Sequence, residues 1–237
     1  MHRDNLSLEL AAERISYAWR QRGFSVPALV EFSSRFSSES PSVICGPSGA
    51  GKSTAGLILS GLLQADKGSV LLNGIEIHQA CNKVAYVFQF PENLFFEESV
   101  REEFAQLTPA NDESTRHFLQ EIGINFEEIA DLSPFQLSGG YSRLIALALQ
   151  MVRNPEVLIV DEPTVGLDWK FHERISRLLE TRSTPQRILI AITHDLPLMK
   201  RLGGRSLVLA HGRITWEGAT EDLLADSRLC EHYGLQG

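Results

Sequence analysis

Gly46-Pro47-Ser48-Gly49-Ala50-Gly51-Lys52-Ser53-Thr54 is a glycine-rich loop ending in a lysine and two hydroxyls. Glycines let successive backbone N–H groups turn inward around an anion, and a helix starting at the lysine adds its positive end. The pattern predicts phosphate binding, with Lys52 on the β- and γ-phosphates of a nucleotide and Ser53 on Mg²⁺. Alone it leaves kinases, GTPases, helicases and transport ATPases open. A second element, Val157-Leu158-Ile159-Val160-Asp161-Glu162-Pro163, is an apolar run ending in two acids. Asp161 is placed to hold the hydration shell of Mg²⁺, and Glu162 to polarise an attacking water as general base. Such acids can also merely cap the next turn. Beside an intact phosphate loop they predict hydrolysis rather than transfer to a substrate.

These groups need elements to hold them. Residues 43–45, 84–88, 157–160 and 188–192 are short continuous apolar runs, the way strands covered on both faces read. The phosphate loop follows the first run, and the apolar periodicity of residues 55–63 predicts a helix after it. Residues 8–19 and 26–32, with 70–72 and 74–77 joined around Asn73-Gly74, predict a small antiparallel layer. Residues 206–210 and 213–217, joined at His211-Gly212, predict a late hairpin. Between about Pro91 and Asn154 the periodicity is helical. The expected fold is α/β, a phosphate-loop parallel-sheet core with an N-terminal antiparallel β layer and an inserted helical subdomain near residues 91–154, in a single domain over residues 1–237.

Composition agrees with an ordinary globular protein. The chain has 237 residues, 43% hydrophobic and 22% charged, enough for a full core. Its formal charge of −8 argues against a nucleic-acid partner held by general electrostatics, because phosphate contacts need clustered Lys and Arg. Cys45, Cys81 and Cys230 show neither a Cys-x-x-Cys spacing nor an even count, so a reducing intracellular compartment is expected. No run approaches the ~18 apolar residues that span a bilayer, and residues 1–5 lack the apolar stretch of a signal peptide. A membrane role therefore requires a partner. In residues 92–113, Glu92, Glu97, Glu98, Glu102, Glu103, Asp112 and Glu113 face Arg101 alone, a local balance of −6. The segment reads as a solvated helix face.

A third element, Leu137-Ser138-Gly139-Gly140-Tyr141, opens a helical run at residues 142–152. As a lone pentamer it is an ordinary helix start. In order with the other two elements it makes the chain resemble the nucleotide-binding subunit of the ABC transporter family, from about residue 15 to 234. The resemblance implies that Ser138, Gly139 and Gly140 bind the γ-phosphate of ATP held by an opposite subunit. It also implies that Gln89 touches Mg²⁺ and the attacking water, that Asp168 of Gly166-Leu167-Asp168 communicates across a dimer, and that His194 contacts the γ-phosphate. Trp19 takes the place of the adenine-stacking aromatic, with Tyr17 in the strand. Trp at 19 departs from the family's commoner Tyr, and Tyr141 from its usual Gln or Glu. Residues 87–100 and 212–235 are most similar to energy-coupling-factor cassettes for vitamin or cobalt and nickel uptake.

The implied protein is an ATP hydrolase of the cytoplasm, peripheral on the inner face of the cell membrane. It would work with ATP and Mg²⁺, a second identical or paralogous cassette and integral membrane subunits. The rival reading is a soluble ATPase of the same family acting as a conformational clamp in cofactor assembly, repair or translation. Such clamps usually add coiled-coil arms, a second cassette or basic patches, and the sequence carries none. A phosphate-loop kinase would need an acceptor site, which no segment suggests.

Overall fold

A computed structural model describes residues 7–21, 23–90, 95–107 and 113–235. The chain opens with β1 (Glu9–Gln21) and β2 (Phe24–Ser37), and β3 (Ser42–Cys45) then runs through the phosphate loop into α1 (Lys52–Leu59). β4 (Lys67–Leu72) and β5 (Ile75–Glu76) follow, then β6 (Val84–Val87). Four helices come next: α2 (Val100–Ala105), α3 (Glu113–Glu121), α4 (Phe126–Ile129) and α5 (Gly139–Val152). β7 (Val157–Asp161), α6 (Trp169–Arg182), β8 (Ile188–Ile192) and α7 (Leu196–Leu202) complete the alternation. The chain ends in β9 (Arg205–Ala210), β10 (Arg213–Ala219), α8 (Thr220–Ala225) and α9 (Ser227–His232).

The central sheet has the order β10-β9-β3-β8-β7-β6, parallel except for the edge strand β10. Every residue of β3, β6, β7 and β8 is buried, which accounts for the unbroken apolar runs. Ile44, Ile159 and Ile190 pack toward α1 and the antiparallel layer, whereas Val43, Val160 and Leu189 join the core of α5 and α6. Truncating one such residue, as in Ile190→Ala, costs about 2–5 kcal/mol. Cys45 belongs to this packing, and burial pushes its thiol up to about 12. Because the strands are parallel, the carboxyl ends of β3, β6, β7 and β8 share one edge, where α/β sheets bind ligands.

The second sheet, β2-β1-β4-β5, is antiparallel throughout. β2 runs to Ser37, beyond the apolar stretch at residues 26–32, because Phe32, Ser34 and Phe36 continue the inward alternation. Pro27 is tolerated because β2 is an edge strand. Two other expectations need correction. The helix after the phosphate loop stops at Leu59, where Gly61 takes φ +77°, so the apolar period through residue 63 overruns it. Ile77 opens a 3-10 turn rather than extending β5.

Helix starts follow side-chain caps legible in the sequence: Ser99 with Glu102 for α2, Ser138 for α5, Asp168 for α6 and Asp195 for α7. The acidic segment is less uniform than its composition suggests. Glu103 is only 6% exposed, and its Oε1 accepts the backbone N–H groups of Phe96 and Glu97 at 2.5 and 2.8 Å. That carboxylate is structural, which withdraws it from the expected surface patch. Glu92 and Asp112, with Pro91, Asn93 and Leu94, lie outside the described residues.

Candidate active site

The phosphate loop is shaped by two glycines that nothing else can replace. Gly46 has φ +131°, and a Cβ there would lie 2.1 Å from the Leu209 carbonyl oxygen. Gly51, at φ +100°, would bring a Cβ to 2.2 Å from that of Ala28. The late hairpin buttresses the loop: its turn residues His211 and Gly212 both have positive φ, and the Gly212 N–H donates to the Ala50 carbonyl at 3.1 Å. Lys52 Nζ donates to the carbonyls of Gly46 and Pro47 at 2.8 and 2.9 Å. Burial lowers the pKa of this ammonium, while Glu162 and Asp161 oppose the shift. A partly desolvated lysine at the start of a helix, beside a glycine-rich loop, is suited to a polyphosphate.

The acids sit beside it at the end of β7. Asp161 is 5% exposed; burial raises its carboxyl pKa, against hydrogen bonds from Ser53 and Tyr86 that hold the anion. The Tyr86 hydroxyl donates to Asp161 Oδ2 at 2.8 Å, and burial raises the pKa of the phenol, with the Asp161 charge adding to the shift. Glu162 has φ +45°, uncommon for a residue with a Cβ, and its N–H donates to the Ile192 carbonyl at 2.8 Å. Such backbone strain costs on the order of 1–3 kcal/mol and gathers at functional sites. Thr193 Oγ1 donates to Glu162 Oε2 at 3.1 Å, and His194 Nδ1 lies 2.7 Å from Oε1. The general-base candidate is therefore fixed from its backbone and at both carboxylate oxygens.

A cavity of about 640 Å³ joins these groups. The loop residues Gly46, Pro47, Ser48, Gly49, Ala50, Gly51, Lys52, Ser53 and Thr54 line it together with Trp19, Gln89, Asp161, Glu162 and His194. Trp19 is 47% exposed, and its Nε1 donates to Thr54 Oγ1 at 3.2 Å. Tyr17 meets the Trp19 ring edge-on, with centroids 5.1 Å apart, and is not part of the cavity wall. Val26, Pro27, Ala28 and Gly234 also line the cavity and were not anticipated. Val26 is the cross-strand partner of Trp19, so correct pairing of the first two strands is the signal that would have found it. Carboxylate, hydroxyl and amide oxygens on Asp161, Ser53 and Gln89 form a hard donor set that suits Mg²⁺. Among the described residues, no group of three or more His, Cys, Asp or Glu could hold a metal by itself.

Ser138, Gly139, Gly140 and Asp168 lie outside this cavity. Ser138 and Gly139 are exposed at the start of α5, while Gly140 is held against the ring of Phe171. Asp168 caps α6, its Oδ1 accepting the N–H groups of Lys170 and Phe171. Tyr141 stacks edge-on against Phe171, and Arg174 sits over both rings. Arg143, the one charged residue of α5 and buried there, donates to the Gln89 carbonyl at 2.8 Å and to that of Val165. It ties the Ser-Gly-Gly helix to Gln89 and to the stretch leading to Asp168. A charge inside an apolar helix is a signal that sequence reasoning passed over.

The ABC transporter family matches over residues 29–165. The energy-coupling factor transporter ATP-binding protein EcfA2 of Caldanaerobacter subterraneus subsp. tengcongensis is 31% identical over 245 residues, covering 96% of this chain and 85% of that protein. EcfA2 of Acetivibrio thermocellus is 33% identical over 205 residues, covering 81% and 73%. Among solved structures, a dimeric ATP-binding cassette bound to ADP and Pi after hydrolysis gives a TM-score of 0.78 at 25% identity, over 89% of this chain and 98% of the other. CbiO1 of Clostridium perfringens, part of the transporter complex cbiONQ, gives 0.76 at 26% identity, over 96% and 94%. No helix among the described residues is long and apolar enough to cross a membrane.

Proposed function

This chain belongs to the ABC transporter family, and we propose that it is the ATP-hydrolysing subunit of an importer of the energy-coupling-factor type. Similarity to the EcfA2 proteins and to CbiO1 supports that type, and a vitamin or a transition-metal ion is the cargo class we propose. In this reading Lys52 and the loop N–H groups hold the β- and γ-phosphates, and Trp19 covers the adenine. Ser53, Gln89 and Asp161 hold Mg²⁺, which when bound neutralises charge on the β- and γ-phosphate oxygens. Glu162 takes the proton of the attacking water as the bond from the γ-phosphorus to its bridging oxygen breaks, leaving ADP and phosphate. His194 steers Glu162 and the γ-phosphate together.

The observation that carries the reading is that one chain has two glycine-rich helix starts, one inside the cavity and one exposed outside it. Both can serve a single γ-phosphate when Ser138, Gly139 and Gly140 come from a second cassette, with Asp168 at the same seam. ATP then joins two cassettes head to tail, and hydrolysis lets them part. Residues 91–154 act as an inserted subdomain that meets the membrane subunit. Phe96 and Phe135 are 85% and 65% exposed, Phe95 meets the Phe135 ring edge-on, and Glu97 and Glu98 follow Phe96 in the chain. Exposed aromatics followed by acids fit a basic amphipathic segment of an integral membrane protein, which supports a peripheral position on the inner face of the membrane.

Coexpression with a candidate integral membrane subunit tests the reading. A stable complex at the membrane whose ATPase responds to the membrane subunit is expected. A chain that stays in the soluble fraction, with an unaltered ATPase, contradicts it and returns the soluble clamp.

A further inference from the structure

The geometry points to Tyr86 as a positioning residue for the cation site: its hydroxyl fixes the Asp161 carboxylate so that Mg²⁺ meets a preset oxygen. The inference rests on the reading of Asp161 as a cation ligand. β6 and β7 are paired in parallel with Tyr86 opposite Ile159, so Tyr86 and Asp161 point to the same side of the sheet, two residues out of step. The ring spans that offset, and the hydroxyl reaches Asp161 Oδ2 at 2.8 Å. Both residues are buried, Tyr86 at 6% and Asp161 at 5% exposure.

A second observation shows that the neighbouring helix makes room for this ring. At Gly56 in α1, a Cβ would lie 2.5 Å from Ile192 Cδ1, 2.9 Å from Tyr86 Cε2 and 3.3 Å from its hydroxyl oxygen. A larger residue at 56 would press on both the Ile192 side chain and the Tyr86 ring. Ser53, one turn earlier on the same helix, hydrogen-bonds the same carboxylate. Asp161 is thus gripped by one donor from α1 and one from β6. A ligating carboxylate held by outer partners keeps its orientation, and loss of such a partner commonly lowers metal affinity 10- to 100-fold.

Tyr86→Phe keeps the ring against Gly56 and Phe88 and removes only the donor. Titration of the whole chain with ATPγS, in EDTA and over a range of Mg²⁺, separates the roles. In EDTA the variant should bind ATPγS within about twofold of the parent, because Lys52 and the loop are untouched. The Mg²⁺ concentration giving half of the affinity gain should rise about tenfold. An unchanged Mg²⁺ dependence overturns the proposal, and so does equal weakening with and without Mg²⁺, which marks a purely structural role. Asp161→Asn serves as the control. If it too keeps the full Mg²⁺ gain, Asp161 is not the ligand and the underlying reading fails; if it loses the gain while Tyr86→Phe keeps it, only the role of Tyr86 falls.

Discussion

His194 Nδ1 lies 2.7 Å from Glu162 Oε1, across the adjacent ends of β8 and β7. The contact joins the two side chains best placed to handle the proton and the γ-phosphate in hydrolysis. Glu162 is held from Thr193 as well, so its carboxylate is oriented before any nucleotide enters. Glu162→Gln keeps the size and one acceptor but removes the base. ATP binding should persist while steady-state phosphate release falls by about 10²-fold or more. Release at the parent rate would take Glu162 out of the role.

Trp19 lines the cavity from β1 and is anchored by Thr54. Stacking and apolar burial of this kind are worth roughly 1–3 kcal/mol, so Trp19→Ala should weaken ATP binding about 5- to 150-fold. Tyr17→Ala, behind it, should have much the smaller effect in the same fluorescence titration. The reverse order would put adenine on the wrong aromatic.

Burial raises the Asp161 carboxyl above its ordinary range, so its charged form opposes folding. That cost is absent below about pH 3.8, where the carboxyl is protonated both folded and unfolded, and it is complete above the raised folded value. Asp161→Asn should therefore raise the thermal midpoint at neutral pH, and the gain should shrink as pH falls into the ordinary carboxylate range. A lower midpoint at neutral pH would mean that its hydrogen bonds outweigh its desolvation.

Of the acids near Gln89, Glu103 is buried and Glu102 closes the capping box of α2 with Ser99. Charge reversal is informative only at Glu97 and Glu98, whose carboxylates are free of those duties. Glu97→Lys with Glu98→Lys should release the subunit from its membrane partner, read by fractionation, with ATP binding intact. Unchanged retention would return the segment to a solvated face.

The parallel core was legible because strands buried on both faces must be continuously apolar, as in residues 157–160 and 188–192. The phosphate loop and the acids at 161 and 162 were legible because their chemistry is local in sequence. Tyr86 was not, since its meaning depends on pairing β6 to β7 at a register that puts it within reach of Asp161. Glu103 looked like every other acid in its segment, and only the turn of the chain at Phe96 and Glu97 buries it. The helix after Lys52 overran because Leu62 and Leu63 keep the apolar period beyond the turn at Gly61.

The central claim is that ATP sits between two cassettes, with Ser138 of one completing the site of the other. The direct measurement is the size of the Glu162→Gln protein by light scattering, in ATP with Mg²⁺ and in ADP with Mg²⁺, with and without Ser138→Arg. The account predicts a dimer in ATP and a monomer in ADP, with Ser138→Arg abolishing the dimer while each monomer still binds ATP. A protein that pairs only after mixing with a paralogous cassette keeps the composite site and makes the pair unlike. A full ATP-dependent dimer with Ser138→Arg in both copies would contradict it.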